Sequence, residues 1–277
     1  MHSLSEQLYK KPTHFLLELI QNADDNTYDD ETPAVWFTTR DSPQLLRIDC
    51  NEVGFDKSNV EALCRIGFST KTNSDRTRGF IGEKGIGFKS VFKVADELHI
   101  SSKAYSFKFD GREMLGMIVP IIEGFPPAHR EVGQTQMLLK IKTTAIYTQI
   151  SDDVQKLDPR ILIFLRKLRK IAVSTRFGTR ISSIRRVLRD SDFDGGETAI
   201  LRTFSFRSTA DTDETNERYI IVRRTESPRG KDERRENLTS TETVLAFPVD
   251  DMMRPLLRSQ QTYAHLPIDD HGFHVSY

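Results

Sequence analysis

Residues 15–26 read FLLELIQNADDN, and their apolar spacing predicts an amphipathic helix over about residues 12–24. The polar stripe of this helix carries a carboxylate, an amide and a second carboxylate at i, i+4 and i+7: Glu18, Asn22 and Asp25. Such a stripe is commonly a solvated face, but asparagine is a poor helix former. An amide oxygen can bind Mg²⁺, and a glutamate one turn earlier can take a proton from water. The helix therefore has two interpretations, a wet surface or an active site laid along it.

The composition excludes several classes of protein. The 277 residues contain 40 basic and 40 acidic side chains, and this balance argues against a bulk electrostatic grip on nucleic acid. No apolar run approaches the roughly 20 residues that span a bilayer, and the N-terminus lacks the apolar core of a signal peptide. The two cysteines, Cys50 and Cys64, imply neither a disulfide framework nor a metal site. We therefore expect an intracellular protein, cytoplasmic or nuclear, with no membrane partner.

The chain divides into two parts by its pattern. In the first part, the predicted elements are strands at 34–39 and 45–50, helices at 56–67 and 88–96, and further strands up to residue 142. The character changes near residue 148, where a helix is followed by strand-like runs and two charge-rich stretches, 208–217 and 225–242, that we predict to be mobile. These patterns predict a first domain over 1–148 and a second α+β segment over 149–277, incomplete at its C-terminus.

A glycine-rich segment, GFIGEKGIGFKS at residues 79–90, precedes the predicted helix at 88–96. Glycines that lead into a helix N-terminus can form an anion site, because unpaired N–H groups and the helix dipole both favour phosphate. The segment does not match a P-loop, since Phe88 intervenes before Lys89 and Ser90. It does not match the dinucleotide fingerprint either, because its spacings come in the opposite order. The alternative interpretation is a surface turn.

The order of these motifs resembles the GHKL superfamily of ATP-binding proteins. The motifs are E-x-x-x-N-A-x-D on a helix, a strand that leads into a Gly-Phe turn, a lid, and G-x-x-G-x-G-F before a helix. The superfamily includes DNA gyrase B, the ninety-kilodalton heat-shock chaperones, sensor histidine kinases and MutL. The runs LIQNADDNTY, NEVGF, STK and GFIGEKGIGFKSVF also resemble NO VEIN-like and sacsin-like proteins, over about residues 10–142. The resemblance implies an α+β fold, an α/β sandwich whose mixed, mostly antiparallel sheet carries helices on one face that enclose the nucleotide, followed by a second α+β segment.

The resemblance also implies ATP and Mg²⁺ as ligands and gives roles to individual residues. Glu18 would be the general base, Asn22 the Mg²⁺ ligand and Asp25 a residue beside the sugar and phosphates. Thr135 would help to hold the adenine. The remaining residues implied at the site are Gly54, Lys71, Gly82, Lys84, Gly85, Ile86, Gly87 and Phe88.

These remaining residues have different implied tasks. The backbone from Gly82 to Gly87 would contact phosphates, and Phe88 would start the next helix. Lys71 belongs to the implied lid. Lys84 either reaches a phosphate or is an exposed lysine of the lid, and the sequence leaves both interpretations open.

One position departs from the superfamily pattern D-x-G-x-G, whose aspartate accepts the adenine amino group. Aligning Gly54 with the second glycine puts Cys50 where that aspartate is expected. Asn51 could offer its amide oxygen to the adenine instead, and Asp49 could do so if a bulge turned it inward. The departure leaves the adenine acceptor open, and it allows a weakened or lost nucleotide site.

The leading hypothesis is a Mg²⁺-dependent ATP-binding domain that hydrolyses ATP slowly and acts as a nucleotide-gated switch in a chaperone-like or scaffold protein. Its partner would be an unidentified client protein, nucleic acid is not expected, and the resemblance allows a homodimer. One alternative is an interaction module that has kept the fold and lost turnover. A less favoured alternative is a protein histidine kinase, which would need a phospho-accepting histidine on a long helical hairpin.

Overall fold

The structure is a computed structural model that describes residues 14–29, 31–64, 88–131, 133–188, 196–208, 211–226, 241–256, 263–264 and 266–267. The helices in these residues are α1 (His14–Asp25), α2 (Lys57–Cys64) and α3 (Thr144–Gln155), with short 3₁₀ helices at Phe88–Lys93, Pro127–His129 and Pro159–Ile163. The strands are β1 (Ala34–Arg40), β2 (Leu45–Cys50), β3 (Ala95–Ser102), β4 (Tyr105–Asp110), β5 (Ile121–Ile122), β6 (Thr135–Ile141), β7 (Lys170–Thr175), β8 (Gly178–Leu188), β9 (Gly196–Ser208), β10 (Asp211–Glu226), β11 (Thr241–Val249), β12 (Tyr263–Ala264) and β13 (Leu266–Pro267).

Eleven of these strands form one sheet in the order β11-β10-β9-β8-β7-β1-β2-β6-β3-β4-β5. Ten strand pairs hold this sheet together, and nine of them are antiparallel. The exception is the parallel pair of β1 and β7, in which Val35 lies opposite Ile171 and Phe37 opposite Val173. The sheet therefore runs without a break from strands before residue 148 to strands after it. The domain boundary at residue 148 stays a prediction.

The single sheet corrects the predicted fold class. The expected α/β sandwich with helices on one face of its sheet is wrong, because the described residues build one large sheet of eleven strands. A strand edge exposes unpaired N–H and C=O groups, and the parallel strand β7 pairs with the edge that β1 would otherwise leave open. The residues after β7 then extend the sheet as long antiparallel strands of 11, 13 and 16 residues.

The main hydrophobic core combines the apolar stripe of α1 with alternate side chains of the sheet. Leu16, Ile20 and Ala23 are buried, as the helical periodicity predicts. They share one cluster with sheet residues such as Val35, and with Ile171 in the second part of the chain. The core therefore fixes α1 against the sheet, and it leaves the polar stripe of the helix outside the core.

Three local predictions need correction. Residues 88–96 form a 3₁₀ helix over Phe88–Lys93 and, after Val94, the start of β3, rather than an α-helix. Ser58 and Glu61 match the S-x-x-E pattern of a capping box, which predicts Ser58 as the cap of α2. The cap is instead Asp56, whose carboxylate accepts from the N–H of Asn59 at 2.9 Å. Most of the stretch 208–217 belongs to β10, where an Arg202–Glu214 ion pair of 2.7 Å crosses to β9.

Candidate functional site

A cavity of about 40 Å³ lies between helix α1 and the sheet. Its walls are mostly apolar with a few polar groups, a lining that small-molecule sites share, although such sites are usually larger. The lining residues come from α1 and the residue after it, from β1, β2 and β6, and from the turn after β2: Leu19, Asn22, Ala23, Asn26, Val35, Ile48, Cys50, Phe55, Thr135 and Met137. The structure therefore brings together Asn22 and Thr135, two residues that the resemblance assigned to one site.

Gly54 shapes the turn that takes the chain from β2 past the cavity. Its φ is +87°, a left-handed conformation that side chains rarely adopt, and a Cβ there would lie 2.6 Å from Cγ of Lys103. The next residue, Phe55, lines the cavity, and its N–H donates to the hydroxyl of Ser102 at 2.7 Å. The glycine of the NEVGF run is thus required by the backbone, and it places Phe55 at the cavity wall.

Cys50, at the position where the resemblance expects an aspartate, does line the cavity. Its sulfur lies 3.2 Å from the hydroxyl oxygen of Tyr28, and that hydroxyl donates to the carbonyl of Ala23 at 2.7 Å. Because the proton of Tyr28 is used in this way, the thiol is the donor in the contact between the two side chains. Burial raises the pKa of the Cys50 thiol to about 11, so this group is neutral at pH 7.

The two other candidates for the adenine acceptor lie away from the cavity. Asp49 faces the opposite side of the sheet, where its carboxylate accepts from Gln136 at 2.6 Å and from Arg47 at 2.8 Å. Asn51 holds the chain before β1, since its amide oxygen accepts from the N–H of Ala34 at 2.8 Å. Strand alternation sends Asp49 away from Cys50, and no bulge reverses it.

A buried chain of polar groups adjoins the cavity, and sequence reasoning missed it. The hydroxyl of Thr135 donates to the carboxylate of Glu52, a residue that is only 7% exposed. The Thr135 oxygen also lies 2.6 Å from the hydroxyl oxygen of Ser102. Burial raises the pKa of Glu52, while hydrogen bonds from Thr135 and from the Gly54 N–H act in the opposite direction. The sequence signal was the position of Glu52 in NEVGF, two residues beyond Cys50.

The C-terminus of α1 is tied to the segment before β7. Asp24, 1% exposed, accepts from the N–H groups of Arg166, Lys167 and Leu168 at 2.8 Å each. The ammonium of Lys167 donates to the carbonyl of Asn26 at 2.6 Å and so caps the helix. Residues 166–169 lie between the 3₁₀ helix at Pro159–Ile163 and β7.

The remaining predicted site residues lie either outside the cavity lining or outside the described residues. Glu18 and Asp25 are half-buried on α1, outside the cavity lining. Phe88 packs against the main core from its 3₁₀ helix. Six residues of the glycine segment and lid lie outside the described residues: Lys71, Gly82, Lys84, Gly85, Ile86 and Gly87.

One curated relative shares a segment with this chain. Protein NO VEIN of Arabidopsis thaliana is 44% identical over 124 residues, which amount to 44% of this chain and 4% of that protein. The chain thus spans only a small part of the relative's length. No family model matches the chain. The similarity agrees with the resemblance to NO VEIN-like proteins that the motifs carry.

The side chains of the described residues limit how a metal ion could be held. Within them, three or more His, Cys, Asp or Glu side chains nowhere gather into a group that could hold a metal ion. A Mg²⁺ ion usually keeps several waters and takes one or two protein ligands together with phosphates, so a single amide such as Asn22 fits it.

None of the helices that the structure describes is long and apolar enough to cross a membrane.

Proposed function

We propose that this chain binds ATP with Mg²⁺ at the cavity between α1 and the sheet and hydrolyses it slowly, as a nucleotide-gated switch in a chaperone-like or scaffold protein. The observation that carries the proposal is the meeting of Asn22 and Thr135 at one cavity. These residues lie 113 positions apart in the sequence, and the GHKL resemblance gave them the Mg²⁺ and adenine ends of one ligand.

The cavity suits a planar base. Its walls offer apolar contact from Leu19, Ile48, Phe55 and Met137, which can pack on the faces of a ring. A volume of about 40 Å³ holds the edge of a base rather than a whole nucleotide. The sugar and phosphates would then lie along the polar stripe of α1, beside Asn22.

The polar stripe of α1 would supply the groups that bind Mg²⁺ and activate water for hydrolysis. ATP would bring the phosphoanhydride bond that water breaks to give ADP and phosphate. Asn22 would hold Mg²⁺ through its amide oxygen. Glu18, one helical turn earlier on the same stripe, would orient the attacking water and take its proton at the carboxylate.

The connection from α1 to β7 supports a role as a switch. Asp24 and Lys167 join the end of α1 to residues 166–168, which lead directly into β7. A movement of α1 on nucleotide binding would therefore pull on the second part of the chain. The client protein that such a movement would serve is not identified.

Glu18→Gln should separate binding from hydrolysis. The amide keeps the size of the side chain but cannot take a proton, so we expect turnover of ATP to fall by about 100-fold or more. The affinity for Mg²⁺-ATP should change by less than about threefold, since Glu18 does not line the cavity. Phosphate release and calorimetric titration measure the two quantities.

The matched control for this variant is Glu113→Gln, which changes an exposed glutamate in the turn after β4. It should leave both turnover and affinity unchanged. Turnover by Glu18→Gln at the wild-type rate would remove Glu18 from the proposed mechanism.

An interaction module without turnover is the second candidate. Cys50 favours it, because a neutral thiol stands at the cavity where the superfamily has a carboxylate. A folded protein that binds no Mg²⁺-ATP would support this candidate against the first.

A further inference from the structure

The hydrogen-bond chain Glu52–Thr135–Ser102 has one direction when Glu52 is ionised. A carboxylate only accepts, so the proton between Glu52 and Thr135 belongs to Thr135. Ser102 accepts from the N–H of Phe55 at 2.7 Å, and its own proton can go to the Thr135 oxygen 2.6 Å away. The reverse direction would leave the Glu52–Thr135 contact without a proton, and buried oxygens are rarely left so.

This direction fixes what Thr135 offers to a ligand. Its proton is committed to Glu52, and one lone pair of its oxygen receives the proton of Ser102. The second lone pair is left for the cavity that Thr135 lines. Thr135 therefore presents an acceptor to a bound molecule and cannot present a donor.

Cys50, like Thr135, offers the cavity an acceptor and no donor. The hydroxyl of Tyr28 donates to the carbonyl of Ala23, so the Cys50 thiol directs its proton to Tyr28 and away from the cavity. Cys50 lines the cavity, and with its proton used in this way its sulfur can act there only as a weak acceptor. Both polar side chains that β2 and β6 contribute to the cavity lining are thus acceptors.

We propose that Glu52, in its ionised form, is a positioning residue for base selection: it holds Thr135 as an acceptor, so the cavity prefers a purine with an amino group at its edge to one with a carbonyl there. The proposal rests on the function proposed above and deepens it. A 6-amino group placed at Thr135 donates to it, whereas a 6-carbonyl in the same place sets two acceptors against each other, and the base would have to shift to offer its N1–H instead. Glu52 thus takes part of the task that the missing aspartate has in the superfamily, through Thr135 rather than by direct contact.

The test compares ATP with inosine triphosphate, which has a carbonyl in place of the 6-amino group. Both are titrated with Mg²⁺ into the whole chain by calorimetry. We expect ATP to bind at least about tenfold more tightly in the wild type. Glu52→Ala releases the proton of Thr135, so the hydroxyl can turn to suit either base, and the ratio of the two affinities should fall towards one.

Three further variants serve as controls for this test. Glu52→Gln keeps the side-chain volume if the alanine variant does not fold, and its NH₂ group can donate to Thr135, so the ratio should also fall. Thr135→Ser keeps the hydroxyl and should keep the ratio. Glu113→Ala, at an exposed site, should keep both affinities.

Two results would overturn the inference and leave ATP binding intact. One is equal binding of the two nucleotides by the wild type. The other is an unchanged ratio in both Glu52 variants, with both affinities lowered together, because that outcome would give Glu52 a merely structural role. If neither nucleotide binds to the folded wild type, the proposed function itself fails and the inference falls with it.

Discussion

Replacing Asp24 with alanine is expected to lower the free energy of unfolding by about 3 kcal/mol. The carboxylate is buried and accepts three backbone N–H groups, those of Arg166, Lys167 and Leu168. Alanine would leave these donors without a partner, and each buried unsatisfied donor costs about 1–3 kcal/mol, partly recovered if water enters. The loss would also free the end of α1 from the segment before β7.

Urea unfolding of the wild type and the variant measures this loss. Asp29→Ala is the matched control, because Asp29 is exposed and follows α1 by a few residues, and we expect a change within about 0.5 kcal/mol. Asp24→Asn should fall between the two, since one amide oxygen can still accept from Lys167 and Leu168. If Asp24→Ala were as stable as the control, the tie between α1 and β7 would contribute little to the fold.

Replacing Asn22 with alanine is expected to weaken Mg²⁺-ATP binding by about 100-fold or more. Asn22 is the residue of the cavity lining to which the proposal gives the metal, and the variant removes its amide oxygen. Its side chain is half-buried on the polar stripe of α1, and alanine is a good helix former, so the fold should be kept. A binding loss in a folded protein would therefore report on the site.

The control for this variant is Asn26→Ala, which removes an amide from the same cavity one turn further along. It should cost less than about tenfold, because the proposal gives Asn26 no metal contact. Equal losses in the two variants would mean that Asn22 has no special role. An unchanged affinity in Asn22→Ala would place Mg²⁺ elsewhere.

The sequence predicts local structure where a periodic pattern decides it. Helix α1 and strands β1 and β2 follow from the spacing of their apolar residues, and their bounds agree with the predictions within a few residues. The meeting of Asn22 and Thr135 was predicted through the resemblance. The positions of Cys50 at the end of β2 and of Gly54 in the turn after it followed from the same alignment.

The failures concern contacts between distant parts of the chain. The partners of Asp24 lie more than 140 residues away, and an acidic residue near a helix end gives no sign of them. The pairing of β1 with β7 is likewise non-local, so the pattern did not predict that one sheet includes strands from both parts of the chain. Glu52 was overlooked because its role depends on Thr135, a neighbour only after folding.

The most direct test of the account is calorimetric titration of ATP into the wild-type chain with Mg²⁺ and again with the metal removed by a chelator. The account predicts one site per chain, with binding that requires Mg²⁺ and disappears in Asn22→Ala. Binding of equal strength with and without Mg²⁺ would contradict the role of Asn22. No binding by a protein shown to be folded would contradict the nucleotide switch and favour an interaction module that has kept the cavity.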